Sequence, residues 1–296
     1  RMPIVNVIET ANLTKSYGSL QALAGIDLRV PRASIFGFLG PNGAGKTTAM
    51  RILVGLLRAT RGAATVLGMD AWRDSTAIRK RIGYLPGDVR LHEWMSGRAF
   101  LAFCNQARGG GAEREIERLR ERFDLNLDRR IRDYSRGMKQ KLGLISSLMH
   151  RPALLILDEP TTALDPLVAT TLHDELRQAS ADGRTILFSS HTLSEVEQLC
   201  DRVAIIRDGQ IVEDSRIDEL RKRALRRVEL RMERSEYQAL RPPSDWLELE
   251  SRDGLVIGSW KGSVSDLLAW LNSLRLRDVT INPPDLEDLF ATYYRK

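Results

Sequence analysis

Only two cysteines, Cys104 and Cys200, occur in the 296 residues. That is too few for a disulfide framework, and their spacing fits no zinc pattern. A reduced compartment and two ordinary buried thiols are expected. Aromatic residues are also sparse, at 6% of a chain that is 43% apolar and 28% charged, the balance of an ordinary globular protein. Long apolar runs are missing. The densest, residues 153–157, is strand-sized and far short of the roughly 20 residues that cross a bilayer. No basic patch followed by an apolar stretch opens the sequence, so no leader is expected. Acidic residues fall short of basic ones, which leaves a net charge of +6. That surplus suits nucleic acid, an anionic membrane surface or an anionic nucleotide, and it does not choose among them.

Residues 1 to about 215 alternate between short apolar runs and helical patterns. The runs lie at 35–39, 82–85, 154–157, 186–188 and 203–206, with helical stretches such as 47–57 and 194–200 between them. Strands that look continuously apolar are buried on both faces, so a parallel sheet covered by helices is expected. Residues 92–150 are strand-poor and helix-rich. Their amphipathic piece at 113–123 carries Ile116, Leu119 and Phe123 on one face. They read as a helical subdomain inserted into the α/β core.

The composition shifts near residue 220. "RKRALRR", at 221–227, reads as the solvated end of a helix beginning at Ile217. Beyond it lie an alternating strand at 228–232 and a short helix at 235–240. Two strands at 246–250 and 255–260 flank the turn Asp253-Gly254. A helix at 263–274 has Ser263 at its cap and Leu267, Leu268, Leu271 and Leu274 on its apolar face. A strand at 279–281 and a helix at 285–294 follow. The order β-α-β-β-α-β permits a ferredoxin-like sandwich.

The glycines of "FGFLGPNGAGKTTAMRIL", at 36–53, need a backbone reason, because glycine is costly to order. Gly40-x-x-x-x-Gly45-Lys46-Thr47 is the phosphate-binding loop pattern, and it stands between a strand and a helix as that pattern requires. Glycines let consecutive N–H groups face inward as a nest for phosphate oxygens. The helix adds free N–H groups and its positive dipole end. Lys46 reaches the β- and γ-phosphates, and Thr47 is placed to ligate Mg²⁺. Chance is a weak rival, since the four fixed positions arise by accident in roughly one per cent of chains this long.

"LLILDEP", at 154–160, ends a buried strand with two carboxylates. Asp158 can hold the hydration shell of Mg²⁺ while Glu159 takes the proton of an attacking water. In "YSRGMKQKLGL", from Tyr134, Ser135 and Gly137 are placed to cap a helix through 138–148.

Five motifs in this order resemble the ATP-binding cassette (ABC) proteins, specifically the nucleotide-binding subunit of a transporter. They are GPNGAGKTT, the signature-like YSRGM, ILDEP, TALD at 162–165 and SSH at 189–191. The resemblance implies an α/β fold: a P-loop NTPase core of the ABC type at 1–217 with its helical subdomain at 92–150. A small C-terminal α+β domain at 218–296, regulatory or dimer-stabilising, would follow. It implies ATP and Mg²⁺ as cofactors. Tyr17 would stack on adenine, and Gly40, Pro41, Asn42, Gly43, Ala44, Gly45, Lys46, Thr47 and Thr48 would cradle the phosphates. Thr47 and Asp158 would serve the metal, Glu159 would be the general base, and His191 would contact the γ-phosphate. Ser135, Arg136 and Gly137 would act in trans on a second subunit's ATP, with Asp165 at the seam.

The resemblance further implies a homodimer or heterodimer, a separate integral membrane permease, and a cytoplasmic place on the inner face of the membrane. Two departures stand out. Gly87, followed by Asp88, occupies the position where the family usually has Gln, so either Asp88 or an extra water is expected to take over, or coupling through this loop is altered. Arg136 and Met138 depart from the commonest signature and are similar to those of the subgroup exporting drugs, antibiotics or lipids, as is the tail "PPDLEDLFATYYRK". The rival reading is a soluble ABC ATPase acting on nucleic acid or the ribosome. The chain lacks the second cassette or long coiled-coil insertion usual there, so nucleic acid is not expected as a partner.

Overall fold

A computed structural model describes residues 6–223, 225–252, 254–284 and 290. The chain divides into two compact units, Arg1–Arg216 and Ile217–Lys296. The first opens with strands β1 (Asn6–Tyr17), β2 (Leu20–Ile26) and β3 (Arg29–Pro31). Strand β4 (Ile35–Leu39), helix α1 (Lys46–Leu53), strands β5 (Arg61–Val66) and β6 (Met69–Asp70), helix α2 (Ser75–Arg81) and strand β7 (Ile82–Leu85) follow. Helices α3 (Gly97–Ala107), α4 (Glu113–Arg122) and α5 (Arg136–Leu148) form the helix-rich stretch. Strand β8 (Leu154–Asp158), α6 (Pro166–Ala181), β9 (Thr185–Ser190), α7 (Leu193–Leu199), β10 (Arg202–Arg207) and β11 (Gln210–Arg216) complete the unit.

The parallel sheet has the order β11-β10-β4-β9-β8-β7, with only β11 antiparallel to its neighbour. Every residue of β4, β8 and β9 is buried, as continuous apolar runs require of strands covered on both faces. Register pairs Leu39 with Ser190 and Asp158 with Ser189. The carboxyl ends of three adjacent strands therefore open into one crevice, the place where open α/β sheets bind ligands.

A second sheet was not anticipated. Strands β2, β1, β5 and β6 run antiparallel with β3 beside β1. Its signal is hidden because β1 is bulged. Its register shifts at Leu13/Thr14 and Lys15/Ser16, and Asn12 sits at φ 49°. Each bulge resets the alternation on which strand recognition depends.

In the helix-rich stretch, α4 matches the amphipathic pattern and buries Leu119 and Phe123 completely, with Ile116 half-buried. Glu175 of α6 is buried, and both Arg118 and Arg122 of α4 reach its carboxylate, at 2.6 and 3.1 Å. Helix α5 starts at Arg136, two residues earlier than expected, because Ser135 alone supplies its cap. The thiol of Cys200 is buried, while Cys104 is only partly covered.

The second unit holds α8 (Ile217–Arg223), β12 (Arg226–Met232), α9 (Arg234–Ala239), β13 (Trp246–Arg252), β14 (Leu255–Trp260), α10 (Val264–Asn272) and β15 (Leu276–Pro284). The basic run at 221–227 straddles the end of α8 and the start of β12. The sheet order β13-β14-β12-β15, antiparallel throughout, follows the ferredoxin-like β-α-β-β-α-β plan from β12 onward. Ser263 caps α10 by accepting the Asp266 N–H at 3.1 Å, an interaction worth about 1 kcal/mol. Leu267 and Leu271 pack under that helix with Trp246 and Trp260, but Leu268 is half exposed and belongs to the outer face. Of the helix expected at 285–294, only residue 290 lies among the described residues.

Candidate active site

The loop after β4 carries the phosphate pattern. Gly43 and Gly45 take φ of 83° and 110°, which other residues rarely adopt. A Cβ on Gly45 would also stand 2.6 Å from the Ala22 carbonyl oxygen. The first turn of α1 has no acidic residue, so its free N–H groups and positive end face the loop uncompensated. Lys46, only 5% exposed, folds back and donates to the carbonyls of Gly40 at 2.5 Å and Pro41 at 3.1 Å. Burial pushes its ammonium below the ordinary lysine pKa, against the pull of the Glu159 carboxylate at 3.5 Å. Pro41, Asn42 and Gly43 are exposed, Ala44 is buried, and Thr47 and Thr48 are intermediate.

Asp158, at the end of β8, is almost completely buried, and both its oxygens are occupied. One accepts from Thr47 Oγ1 at 2.7 Å and the other from Ser189 Oγ at 2.6 Å. A buried carboxylate is tolerable when paired in this way. A hydroxyl and a carboxylate that already touch are the hard oxygen donors suited to Mg²⁺, which takes one or two protein oxygens and fills its shell with phosphate and water. Among the described residues no cluster of three metal-binding side chains exists, so those substrate oxygens would have to complete the shell.

Glu159 follows at φ 47°, a conformation costing a non-glycine residue on the order of 1–3 kcal/mol. Its N–H donates to the same Ser189 hydroxyl at 2.9 Å. One serine therefore orients both carboxylate residues. The Glu159 carboxylate lies 3.4 Å from His191 Nδ1, and Thr162 Oγ1 donates to it at 3.4 Å. Lys46, Asp158, Glu159 and His191 thus converge. The arrangement can bind a polyphosphate, hold a divalent cation and present a carboxylate to water.

The remaining expected residues stand elsewhere. Tyr17 is 48% exposed on β1 with the Lys15 ammonium 5.0 Å from its ring centroid. Ser135 caps α5 by accepting the Met138 N–H at 3.2 Å, and Asp165 caps α6 by accepting that of Val168 at 3.0 Å. Arg136 opens α5. A Cβ on Gly137 would lie 2.7 Å from the Ala163 carbonyl oxygen. Among the described residues, no hydrogen bond or ion pair joins Ser135, Arg136, Gly137 or Asp165 to residues 40–48. Gly87 lies against Asp158. The exposed carboxylate of Asp88, beside it, accepts from Arg90 Nε at 2.8 Å. A cleft of about 500 Å³ separates Gly87 and Asp88 from Arg136, Gln140 and Thr162. A larger cavity of about 610 Å³ between α3 and α4, floored by Leu101, Ala102, Ile116 and Leu127, holds none of this constellation.

A family model described as ABC transporter matches residues 23–162. The bacitracin transport ATP-binding protein BcrA of Enterococcus faecalis is 34% identical over 293 residues, covering 96% of this chain and 95% of that protein. The chain belongs to the ATP-binding proteins of ABC transporters. A daunorubicin resistance ATP-binding protein, DrrA3 of Streptomyces coeruleorubidus, is 42% identical over 212 residues, 70% of this chain and 67% of its own length. The solved ATP-binding subunit of an ABC transporter matches with a TM-score of 0.68 and 30% identity, covering 73% of this chain and 92% of that one. The chain is therefore an ABC-type, nucleotide-binding ATPase.

Two residues of this ABC ATPase escaped the sequence reading. Ser189 joins Asp158 to Glu159, and Gln140, on α5, donates to the Pro160 carbonyl at 2.9 Å. The SSH motif contained the first, read only as a marker of order. Gln140 bonds to backbone carbonyls, which leave no trace in sequence. Gly87 supports a prediction. A Cβ there would sit 3.2 Å from Asp158 Oδ2, a tight contact on a carboxylate already held by Thr47 and Ser189. Gly87→Gln will therefore raise the Mg²⁺ concentration for half-maximal ATPase activity by about tenfold, the equivalent of a displaced charge-assisted contact. An unchanged Mg²⁺ titration would show that Asp158 accommodates the added side chain without losing its hold on the metal.

Proposed function

We propose that two copies pair head-to-tail around two ATP molecules, and that their hydrolysis powers a separate integral membrane permease exporting an antibiotic-like or lipid-like compound. One observation carries the pairing: Ser135, Gly137 and Asp165 stand apart from their own phosphate loop and need a second chain's nucleotide to act on. In each site, residues 40–48 cradle the phosphates and Tyr17 stacks on adenine. Glu159 accepts the proton of the attacking water, and His191 holds the γ-phosphate. Thr47 and Asp158 would hold Mg²⁺, which when bound would neutralise charge building on the phosphate oxygens. Ser135 and the N–H of Gly137, from the other chain, close over the γ-phosphate. Loss of that phosphate removes their contact, which biases an open–closed equilibrium.

Export is supported by the relatives named for bacitracin transport and daunorubicin resistance. Among the described residues no helix is long and apolar enough to cross a membrane; the permease on another chain and the place on the inner membrane face are part of the proposal. Tagged protein purified from gently solubilised native membranes will carry one polytopic membrane protein in a one-to-one ratio, identified by mass. Ribosomal proteins or nucleic acid instead, with nothing polytopic, would overturn the proposal while leaving the ATPase chemistry intact.

A further inference from the structure

We infer that Gln140 is a positioning residue through which helix α5 sets the placement of Glu159 in its own chain. The inference rests on the reading of Glu159 as the proton acceptor. Gln140 is 6% exposed, and its Nε2 donates to two successive carbonyls, Pro160 at 2.9 Å and Glu159 at 3.5 Å. The Glu159 carbonyl also accepts the Thr162 N–H at 3.1 Å, while its own N–H is taken by Ser189 of β9. The peptide units on either side of Glu159 are thus held from two elements, β9 and α5.

That clamp has work to do. A glutamate at φ 47° persists only where its surroundings over-determine it. Without the amide, the Pro160 carbonyl is left buried and unpaired by α5, and the backbone gains freedom to relax toward the common regions. The carboxylate then leaves the reach of Lys46 and His191, now 3.5 and 3.4 Å away. The helix supplying the clamp is the one capped by Ser135, roughly 7.5 Å along the axis at 1.5 Å per residue. Gly137 seats its first turn close against the Ala163 carbonyl. One rigid element therefore holds the group proposed to meet the other chain's ATP and the group that places this chain's base.

A bland alternative is that Gln140 only satisfies buried carbonyls and supports the fold. Mixed dimers of full-length chains, purified through two different tags, separate the readings. Each dimer carries Glu159→Gln in one chain, so a single site turns over. Gln140→Leu, similar in size but unable to donate, is placed either in the chain with the intact Glu159 or in the chain with Glu159→Gln. In the first arrangement kcat for phosphate release will fall at least about tenfold with KM little changed, the scale of loss for a misplaced catalytic group. In the second the loss will stay under about threefold, as for independent sites.

Equal losses in both arrangements, a loss confined to the second, or none in either would overturn the inference. A global folding or assembly defect would lower both dimers alike, since both contain the same substitution. If the Leu variant does not assemble, Gln140→Glu keeps the shape while setting an acceptor against the carbonyls, and the same segregation is expected. Should the Glu159→Gln homodimer hydrolyse ATP at the unmodified rate, the underlying reading of Glu159 fails, and that result is distinct from a failure of the Gln140 clamp.

Discussion

Glu159→Gln will lower steady-state ATP hydrolysis by about 10²-fold or more while leaving ATP binding intact, because a positioned general base contributes roughly 10²–10⁴ in rate. At about 1.4 kcal/mol per decade, that is some 3–5 kcal/mol of transition-state stabilisation. The substitution isolates this term well. Glutamine keeps the shape of the side chain, the backbone stays at φ 47°, and the N–H still donates to Ser189. What disappears is the capacity to accept a proton and the negative charge beside Lys46, 3.5 Å away. Losing that charge removes repulsion toward the γ-phosphate, so ATP affinity will hold or improve. The nucleotide-bound dimer will then persist long enough to be isolated. Phosphate release and size-exclusion chromatography in the presence of ATP check the two halves. An unmodified rate would mean that another group activates the water, and nothing else in the crevice is placed to do so except His191, half exposed and 3.4 Å from the same carboxylate.

Much of this site lay open in the sequence, and the reason is geometric. Strands β4 and β7 match their apolar runs end to end, because burial on both faces leaves no polar interruption. Their punctuation is chemical: glycines where φ turns positive, and two carboxylates where β8 reaches the crevice. The ferredoxin-like unit was legible for a similar reason, since each of its elements is short and locally marked, as by Ser263 at the cap of α10. What stayed hidden involves partners distant in sequence. The bulges of β1 erase its alternation, so the antiparallel sheet left no periodic trace. Ser189 acts on Asp158 and Gln140 on Pro160 across 31 and 20 residues, and neither side chain declares its partner. Leu268 shows the opposite error, an apolar residue at helical spacing that the fold leaves outside.

Lys46→Ala is expected to weaken ATP binding by on the order of 10²–10³, about 3–4 kcal/mol, the sum of a charge-assisted phosphate contact and the coulombic attraction of a partly buried pair. The ammonium already has partners. It bridges the carbonyls of Gly40 and Pro41 and neighbours Glu159. Binding must exchange those weak, neutral acceptors for phosphate oxygens carrying full charge. Burial, which holds the lysine pKa below its usual value, makes the ammonium poorly solvated and so gives the incoming anion more to offer. Removing the side chain leaves the backbone nest and the end of α1 to bind alone, which explains why the loss should be large but not total. Lys46→Arg will rescue little, because a planar fork cannot thread the space between the two carbonyls. Titration calorimetry with Mg-ATP on unmodified, Ala and Arg proteins measures all three affinities. A thermal midpoint taken beforehand without nucleotide shows that the loop is still folded. Equal affinity in the Ala variant would show that phosphate does not sit over α1, and the head-to-tail arrangement would lose the nucleotide around which the two chains are proposed to close.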